Sequence, residues 1–358
     1  MNLIDTPVAI EKCRIFERLR SSNPARLFVL GRNKYAKSIV HNFDVEGFVD
    51  DYTDEQKYMG RPIIRMSSLP SDCVVVSCVV DGRPLTAIDR LYAGKATRVL
   101  DYFTLLRLAP ELFEQVDYCA NNRSDILANL QSYQWVYDNL ADEESKISFS
   151  KVVQFRYSFD LDFMRGFSLR TDHQYFEEFV KIGNGEVFVD GGAYDGQTTL
   201  DFSSKANSYQ QIYCFEPAPE MIQISKHKLG HLKNIQFIQK GLFSREDSIK
   251  FDATAGSASR ISDVGATQIK LTTLDKEVTE PISMIKLDIE GAEFDAINGA
   301  VDHIKRSTPT IAICVYHNQS DFWRIPKRIM EINDRYKIYL RHYSEGILET
   351  VMFFIPKK

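Results

Sequence analysis

The stretch Val187-Phe-Val-Asp-Gly-Gly-Ala-Tyr-Asp-Gly-Gln-Thr-Thr-Leu200 decides the fold. Its first four residues predict the buried end of a strand, and the glycines at 191, 192 and 196 permit a tight turn. Residues 197–202 then predict the opening of a helix. A strand that ends in an acid, turns through glycines and enters a helix brings bare backbone N–H groups up to a ligand. This arrangement is typical of a cofactor site at the carboxyl edge of a parallel sheet.

The spacing of this turn indicates which cofactor it holds. It has the form Asp-x-Gly-x-x-x-Gly, from Asp190 to Gly196, and not the Gly-x-Gly-x-x-Gly that cradles a pyrophosphate. An acid in the first position would repel a diphosphate, but it suits the ammonium of an amino acid, such as the methionine part of S-adenosylmethionine. Glu216 ends the next apolar run, 20 residues beyond Gly196, where an acid is placed to bind ribose hydroxyls. The alternative is a solvated glutamate at a strand end.

Composition excludes several classes of protein. The chain has 358 residues, of which 44% are hydrophobic and 26% charged, as in an ordinary globular protein with room for two domains. A net charge of −5 gives no broad attraction to a nucleic-acid polymer. No apolar run approaches the ~20 residues of a membrane span, and residues 1–20 lack the pattern of a signal peptide. The six cysteines form no CxxC pair, so we expect reduced thiols and a cytoplasmic protein.

The first two of three zones precede the glycine turn. Residues 1–110 alternate strands with helices, including a helix over 34–42, and predict a small α/β domain of the Rossmann-like kind. Residues 111–182 have a helical period and many aromatic residues, and predict a helical connector between the two domains. The strands expected in the first zone are 26–31, 47–51, 74–80 and 97–101.

The third zone, residues 183–358, predicts a larger α/β domain. Its last two strands are joined by the short turn Ser344–Gly346, which is too short for a parallel crossover and therefore predicts an antiparallel hairpin. Five parallel strands and a terminal hairpin are typical of the seven-stranded sheet of class I methyltransferases. The strands expected here are 187–191, 211–216, 235–240, 283–289, 310–316, 336–342 and 348–355.

Four motifs of the third zone occur in this order: Phe188-Val-Asp-Gly-Gly-Ala-Tyr-Asp-Gly196, Phe215-Glu-Pro217, Leu271-Thr-Thr-Leu-Asp275 and Ile285-Lys-Leu-Asp-Ile-Glu-Gly-Ala-Glu293. Through them, residues 172–356 resemble the FkbM family of S-adenosylmethionine-dependent methyltransferases. The resemblance implies a methyltransferase that uses S-adenosylmethionine, with O-methylation of a sugar or polyketide hydroxyl as the usual activity and a role in polysaccharide biosynthesis. The first zone is similar, much more weakly, to N-terminal domains of bacterial sugar-modifying acyltransferases that hold a nucleotide-sugar.

Methyl transfer to a hydroxyl needs in-line positioning and a proton acceptor. Candidates follow the fourth and fifth strands of the third zone. We predict His317 as the general base, because an unperturbed imidazole titrates near neutral pH. Asp288 orients donor or acceptor, and Glu290 contacts the acceptor. These three residues also form a workable ligand set for a divalent cation, but their spacing is no metal signature, and we predict no metal.

The remaining candidates bind the donor or the acceptor. Asp190 is expected to face the methionyl ammonium, and Leu242 to pack on the adenine. The full donor set is Tyr175, Phe176, Asp190, Gly191, Gly192, Ala193, Tyr194, Asp195, Gly196, Gln197, Thr198, Glu216, Pro217, Gly241, Leu242 and Asp288. The acceptor set is Arg260, in a polar segment that begins at Gly256, with Tyr316, Trp323 and His342. The acceptor is expected to be a small molecule or a glycan.

The first zone carries an alternative ligand. Its first strand ends in Gly31, and Arg32 and Lys34 follow where a phosphate would need neutralising, with Asp50 at the end of the second strand. These residues predict either a nucleotide or nucleotide-sugar site, or a structural or oligomerising module.

Two rival functions remain at this stage. One is a nucleotide-sugar dehydrogenase or epimerase that uses the first zone for NAD, and the missing Gly-x-Gly-x-x-Gly and Tyr-x-x-x-Lys motifs argue against it. The other is a non-catalytic module that binds the methyl donor or a sugar without turnover.

Overall fold

A computed structural model describes residues 3–94, 96, 98–252, 260–261 and 267–357. It confirms the predicted α/β class, with a Rossmann-like sheet in each half of the chain. The helices are α1 (Ile10–Leu19), α2 (Lys34–Asn42), α3 (Pro84–Ala93), α4 (Tyr102–Leu108), α5 (Asn122–Ala128), α6 (Leu130–Asn139), α7 (Glu143–Ser158), α8 (Gln197–Lys205), α9 (Pro219–Leu229), α10 (Leu274–Glu277), α11 (Glu293–Asn298), α12 (Val301–Arg306) and α13 (Asp321–Ile332). The strands are β1 (Leu27–Leu30), β2 (Gly47–Val49), β3 (Lys57–Tyr58), β4 (Arg61–Ile64), β5 (Val74–Ser77), β6 (Val99–Asp101), β7 (Glu186–Gly191), β8 (Tyr209–Phe215), β9 (Ile235–Ile238), β10 (Gly241–Leu242), β11 (Asp247–Asp252), β12 (Arg260–Ile261), β13 (Thr267–Thr272), β14 (Met284–Leu287), β15 (Thr310–Cys314), β16 (Tyr336–His342) and β17 (Thr350–Pro356).

The C-terminal half contains the predicted seven-stranded sheet, in the order β16-β17-β15-β14-β7-β8-β9. The strands β15, β14, β7, β8 and β9 run parallel, and β17 runs antiparallel to β15. The chain leaves β7 toward β8 on one side and returns to β14 on the other. The order therefore reverses between β7 and β14, and open α/β sheets bind ligands at such a reversal.

The strand β7 is buried because both faces of a parallel sheet are covered. From Val187 to Gly191 every residue is buried. The ring of Phe188 stacks on Phe202 of α8 at a centroid distance of 4.1 Å. This contact holds α8 against the strand that precedes it, and so fixes the direction in which the chain leaves the glycine turn.

The glycine turn after β7 requires glycine for two separate reasons. Gly192 has φ +76°, and a Cβ there would lie 1.9 Å from the carbonyl oxygen of Asp288. Gly196 has φ +84°, and a Cβ there would lie 2.9 Å from Leu229. The turn is therefore pressed against the chain that leaves β14, which brings two candidate segments of the sequence into contact.

The N-terminal half contains a sheet in the order β3-β4-β2-β1-β5-β6. All pairs are parallel except β3 with β4. The four strands predicted from the sequence are present as β1, β2, β5 and β6. The short strands β3 and β4 were not predicted, because they lie between Gly and Pro residues in a polar stretch.

A third sheet, in the order β10-β13-β11-β12, was also missed. Alternation in β13 was the available signal: Gln268 and Lys270 are exposed, while Ile269 and Leu271 are buried against Ala218. The predicted polar segment 256–259 lies outside the described residues.

The chain forms two compact units, each made of several segments. Unit 1 comprises residues 1–128, 149–171 and 342–348, and unit 2 comprises residues 129–148, 172–341 and 349–358. The boundaries at residues 110 and 182 remain predictions from the sequence. In the described part of the chain, every helix is too short or too polar to span a bilayer.

The glycine turn generates a prediction about stability. We expect Gly192→Ala to lower the free energy of unfolding by at least ~3 kcal/mol, because the new methyl group would overlap a backbone oxygen at a strained φ. Gly185→Ala is the matched control, since Gly185 has φ +69° with nothing within 4 Å of its Cβ position. The control should cost only ~1–2 kcal/mol. Urea unfolding followed by circular dichroism measures both, and equal losses would contradict the close approach of Gly192 to Asp288.

Candidate functional site

The candidate site lies where strands β7, β14 and β15 end side by side. Gly191 pairs with Leu287, and the parallel register continues across β14 to β15. Because β17 is antiparallel, its first residues reach the same edge, with Val351 opposite Cys314. The residues that follow these strands, and those that precede β17, therefore converge in unit 2.

Asp190 is the first correction to the predicted site. Its side chain is 0% exposed, and one oxygen accepts a hydrogen bond of 2.7 Å from Thr199 Oγ1. The other oxygen lies 3.1 Å from the ammonium of Lys286 on the neighbouring strand. The cationic partner of Asp190 in this structure is therefore a residue of the chain itself, and not the ligand ammonium that the sequence analysis predicted.

Lys286 was missed by the sequence analysis. Its ammonium is buried and donates to the carbonyl oxygens of Gly192 at 2.8 Å and Gly191 at 3.2 Å. Burial alone would lower the pKa of Lys286, but the carboxylates of Asp190 and Asp288 raise it above its usual value. The available signal was a lone lysine inside the apolar run that forms β14, since lysine is almost never fully buried unless it is paired.

Asp288 follows β14 directly and is a partly exposed acid, with a side chain 24% exposed. It accepts a hydrogen bond of 2.8 Å from the hydroxyl of Tyr175 and one of 3.4 Å from that of Tyr316. Burial would raise the pKa of Asp288, but Lys286 and His317 lower it below its usual value. Asp288 is therefore an ionised carboxylate whose orientation is fixed by two phenols.

His317 is surrounded by carboxylates. Its Nδ1 lies 2.8 Å from Glu293 Oε1, and its Nε2 lies 3.6 Å from Asp288 and 3.4 Å from Glu290. Burial would lower its pKa, but Glu293 first, and then Asp288 and Glu290, raise the pKa to about 10. The ring is therefore an imidazolium at neutral pH. The prediction that His317 is the general base assumed an imidazole with its ordinary pKa, and the surrounding carboxylates raise that pKa.

Glu293 holds the loop between β14 and α11. It accepts hydrogen bonds from the backbone N–H groups of Ile289 at 2.8 Å and Gly291 at 3.0 Å, besides its contact with His317. Glu290, between these two donors, has φ +57°. The sequence analysis gave Glu293 no functional role, but the fully buried carboxylate positions both the loop and the imidazole.

One group of residues has the composition of a metal site. Asp288, Glu293 and His317 each offer a ligand atom, and these atoms lie within 4.8 Å of one another. A cation bound to Glu293 would have to compete with the proton of His317 and with the two backbone donors that this carboxylate already satisfies. We therefore assign Glu293 to positioning and build no function on a metal.

Glu349 is a further carboxyl group beside Asp288, and the sequence analysis did not identify it. It precedes β17, has φ +69°, and accepts a hydrogen bond of 2.6 Å from Gln174, which also contacts Tyr175 at 3.0 Å. Burial, and next the charge of Asp288, raise the pKa of Glu349 to about 7. The predicted terminal hairpin was the available signal, because an antiparallel last strand begins at the edge where the parallel strands end.

Backbone strain is concentrated around this site. Tyr175, Tyr194, Glu290 and Glu349 all have positive φ without being glycine, with values of 72°, 48°, 57° and 69°. Residues in such conformations cost of order 1–3 kcal/mol each and are found preferentially at ligand-binding and catalytic positions.

Glu216, the predicted ribose ligand, ends the neighbouring strand β8. Its two oxygens accept hydrogen bonds from the backbone of Tyr194 at 3.0 Å and of Ala218 at 2.8 Å. Burial raises its pKa above the usual value. These bonds fix the carboxylate beside the glycine turn, as the spacing predicted.

Other predicted donor residues form the wall of the same turn. Asp195 accepts from Gln197 N at 3.0 Å and pairs with Lys228 at 2.5 Å. Phe176 is half-buried against Phe202. The remaining predicted residues are near this turn in the sequence or on β10: Gly191 ends β7, Gly192, Ala193 and Gly196 form the turn, Thr198 is on α8, Pro217 follows β8, and Gly241 and Leu242 form β10.

Two predicted acceptor residues do not belong to the group around Asp288. Trp323 is a half-buried residue of α13 whose ring lies 5.8 Å from the ammonium of Lys327. His342 belongs to unit 1, where its ring packs against Phe167 at 4.8 Å and burial lowers its pKa to about 3. The side chain of Arg260 lies outside the described residues.

The turn after β1 does not favour a phosphate. Arg32 pairs with Asp50 at 3.1 Å, and Lys34 pairs with Asp117 at 2.6 Å. The side chain of Asn33 caps α2 with a bond of 3.0 Å. The two cations predicted to neutralise a phosphate beside Gly31 are thus held by carboxylates.

Comparison with known proteins shows that this chain is similar to methyltransferases. The family model described as "Methyltransferase FkbM domain" matches residues 190–343. The crystal structure of methyltransferase FkbM from Methylobacillus flagellatus KT is similar, with a TM-score of 0.77 and 23% sequence identity over 97% of this chain and 94% of that chain. At this identity the likeness shows the fold alone.

Other solved structures match only part of the chain. An rRNA methylase from Streptococcus thermophilus has 14% identity and a TM-score of 0.33, over 49% of this chain and 90% of its own. Fibrillarin from Aeropyrum pernix, bound to S-adenosyl-L-methionine, has 15% identity and a TM-score of 0.32, over 50% of this chain and 70% of its own. We draw no conclusion from likenesses this weak. No curated protein matches the sequence significantly.

The buried pair of Asp190 and Lys286 predicts a large effect on stability. We expect Lys286→Met to lower the free energy of unfolding by ~3–5 kcal/mol, because it leaves a fully buried carboxylate without its partner. Lys240→Met removes a partly exposed pair with Glu277 and should cost only ~0–1 kcal/mol. Urea unfolding measures both, and a loss at Lys286 no larger than that at Lys240 would contradict the assignment.

The charge state of His317 is a second prediction. In metal-free protein its ring should remain protonated well above pH 7, and Glu293→Gln should lower its pKa because it removes the carboxylate that raises it most. Nitrogen chemical shifts of the ring, recorded against pH, measure this. Glu345→Gln, a change to a unit 1 carboxylate bonded to Thr86, should leave the titration unchanged. A wild-type ring that titrates near pH 6.5 would show that the carboxylates do not control it.

Proposed function

We propose that the chain, whose residues 190–343 match the family model of the FkbM methyltransferase domain, is an S-adenosylmethionine-dependent O-methyltransferase. Its acceptor in this proposal is a hydroxyl of a sugar, a glycan precursor or a related metabolite, in keeping with polysaccharide biosynthesis in the cytoplasm. One observation carries the proposal: the glycine turn after β7 lies against Asp288 at the point where the strand order reverses.

The electrostatics of the site support a cationic ligand. Five carboxyl groups gather here around two cationic side chains, Lys286 and His317. Buried charge of one sign is costly without a counter-charge. S-adenosylmethionine carries a sulfonium and an ammonium, so it supplies positive charge where the chain lacks it. The carboxyl groups are Asp190, Asp288, Glu290, Glu293 and Glu349.

Two acids divide the work of holding the donor. We assign Glu216 to the ribose hydroxyls, because it ends β8 and its orientation is fixed by two backbone donors. Asp288 is assigned to the positive end of the donor, because it is ionised and partly exposed. Asp190 acts through Lys286, which fixes the carbonyl groups of the glycine turn. When bound, the donor supplies a methyl group already activated on sulfur.

Removal of the acceptor's proton needs a base whose pKa lies near physiological pH. Glu349 fits this role better than His317, because its pKa is raised to about 7 whereas that of His317 is raised to about 10. We therefore propose Glu349 as the proton acceptor. His317 remains a fixed positive charge beside Asp288 and Glu290, and Tyr316 is the predicted acceptor residue that lies within this group.

The rival functions have less support. An NAD-dependent oxidoreductase or epimerase would use the turn after β1, where Arg32 is already paired with Asp50. A non-catalytic module that binds the donor would share the fold and the glycine turn. Binding and turnover, measured separately, distinguish these functions from a methyltransferase.

Isothermal titration calorimetry with S-adenosylhomocysteine is the first test. We expect saturable binding by the wild type, and binding about tenfold weaker in Glu216→Gln, because a buried acceptor of ribose bonds is weakened. Glu220→Gln, an exposed change in the first turn of α9, should bind like the wild type. Binding of NAD in place of S-adenosylhomocysteine would overturn the proposal.

Transfer of a labelled methyl group to a panel of sugars and nucleotide sugars is the second test. We expect label in a product that is stable to base, as a methyl ether is. Wild-type protein that binds S-adenosylhomocysteine and labels no hydroxyl compound would favour the non-catalytic module. In the active wild type, the rate of methyl transfer should fall at acidic pH as Glu349 becomes protonated. In Glu349→Gln this acidic limb of the pH–rate profile should be absent.

A further inference from the structure

Unit 1 contains a cavity of about 650 Å³ that no part of the proposed function uses. This volume is in the range of pockets that bind small molecules. Three arginines from three helices line it: Arg107 of α4, Arg123 of α5 and Arg156 of α7. Among the described residues, Asp5 is the one acidic side chain of the lining. The cavity therefore has an excess of positive charge.

The arginines are held in place by neighbouring groups of unit 1. Arg156 is 3% exposed and donates to the carbonyl oxygen of Tyr118 at 2.8 Å. Arg107, with a side chain 12% exposed, donates to the backbone and side-chain oxygens of Thr6 and pairs with Asp160 at 3.5 Å. These contacts fix two guanidinium groups at the cavity.

Arg123 is the most exposed of the three arginines, with a side chain 51% exposed. It pairs with Asp5 at 2.8 Å, and its guanidinium lies 4.2 Å from the centre of the Tyr157 ring. A guanidinium has five N–H donors, so the bond to Asp5 leaves donors on Arg123 for a ligand. The aromatic ring behind it limits the directions in which those donors point.

A buried amide adds a further donor. Asn122 is 2% exposed and lines the cavity, and within the part of the chain that the structure describes its Nδ2 has only the weakly accepting thiol of Cys119 beside it. A buried N–H group without an acceptor costs ~1–3 kcal/mol. Two further lining residues, Asn121 and Phe159, have positive φ of 64° and 53°, a form of strain that is common where a chain clamps a ligand.

We propose that this cavity binds a phosphate-bearing small molecule, with the phosphate oxygens held by Arg107, Arg123, Arg156 and the Asn122 amide. Arginine is the side chain best suited to phosphate, because its planar group donates two parallel hydrogen bonds to two oxygens. The volume exceeds what a phosphate alone fills, so the organic part of the ligand lies along Leu127 and Tyr157. This site does not depend on the proposed methyl transfer.

Inorganic pyrophosphate is the probe, titrated by calorimetry into the full chain. We expect saturable binding in the wild type and binding about tenfold weaker in Arg123→Gln, because one charged donor is lost. Arg123 is half exposed, so the variant should fold. The matched control is Arg165→Gln, another exposed arginine of unit 1 that pairs with an aspartate, Asp162, and it should bind like the wild type.

Several outcomes would overturn the site. One is wild-type protein that shows no saturable binding of pyrophosphate up to about 10 mM. A dissociation constant above this concentration corresponds to a binding free energy smaller in magnitude than ~3 kcal/mol. Another is equal binding by wild type and Arg123→Gln. A third is that sodium sulfate and sodium chloride, at matched ionic strength, weaken the binding of pyrophosphate equally. This result would show a general effect of salt and no site for an oxyanion. S-adenosylhomocysteine titrated into the same samples reports on unit 2, so that failure here is separate from failure of the proposed function.

Discussion

The buried ion pair between Asp190 and Lys286 is the interaction on which the site depends. Two charges taken out of water are stable only when their remaining hydrogen bonds are satisfied. Thr199 completes the carboxylate, and the carbonyl groups of Gly191 and Gly192 complete the ammonium. The pair therefore joins two neighbouring strands at the point where their order reverses.

The charge states of the other side chains follow from an excess of acidic over cationic side chains in the site. Asp288 is ionised because Lys286 and His317 stand beside it, and His317 is protonated because Glu293 and Glu290 flank it. Each of these two side chains therefore shifts the pKa of the other. A site organised in this way holds its charges fixed before a ligand arrives, which is how preorganised electrostatics favour one charge distribution in the ligand over another. Positive ligands gain most from it.

Much of this arrangement could be read from the sequence. Strands with continuous apolar runs, the glycine turn and the acid at Glu216 were predicted because each depends on local pattern. Lys286 and Glu349 were not, since their roles depend on which strands become neighbours and on the direction of the last one. The protonation of His317 was predicted wrongly for the same reason: its pKa is set by carboxylates that lie 24 to 29 residues away along the chain. The sheet that contains β10 and β13 was missed, because β10 and β12 have only two residues each and the alternation in β13 was overlooked.

The short segment 342–348 has a consequence for how the molecule is made. It connects two strands of unit 2 but is part of unit 1, where Gly346 lies so close to the carbonyl oxygen of Val80 that a methyl group would be 2.4 Å from it. A growing chain on the ribosome thus delivers one piece of its N-terminal body only after nearly all of the other body has been synthesised. Domains usually complete themselves in order as they emerge. Here unit 1 is not finished until residue 348 has been synthesised, and no single cut of the chain yields two whole units.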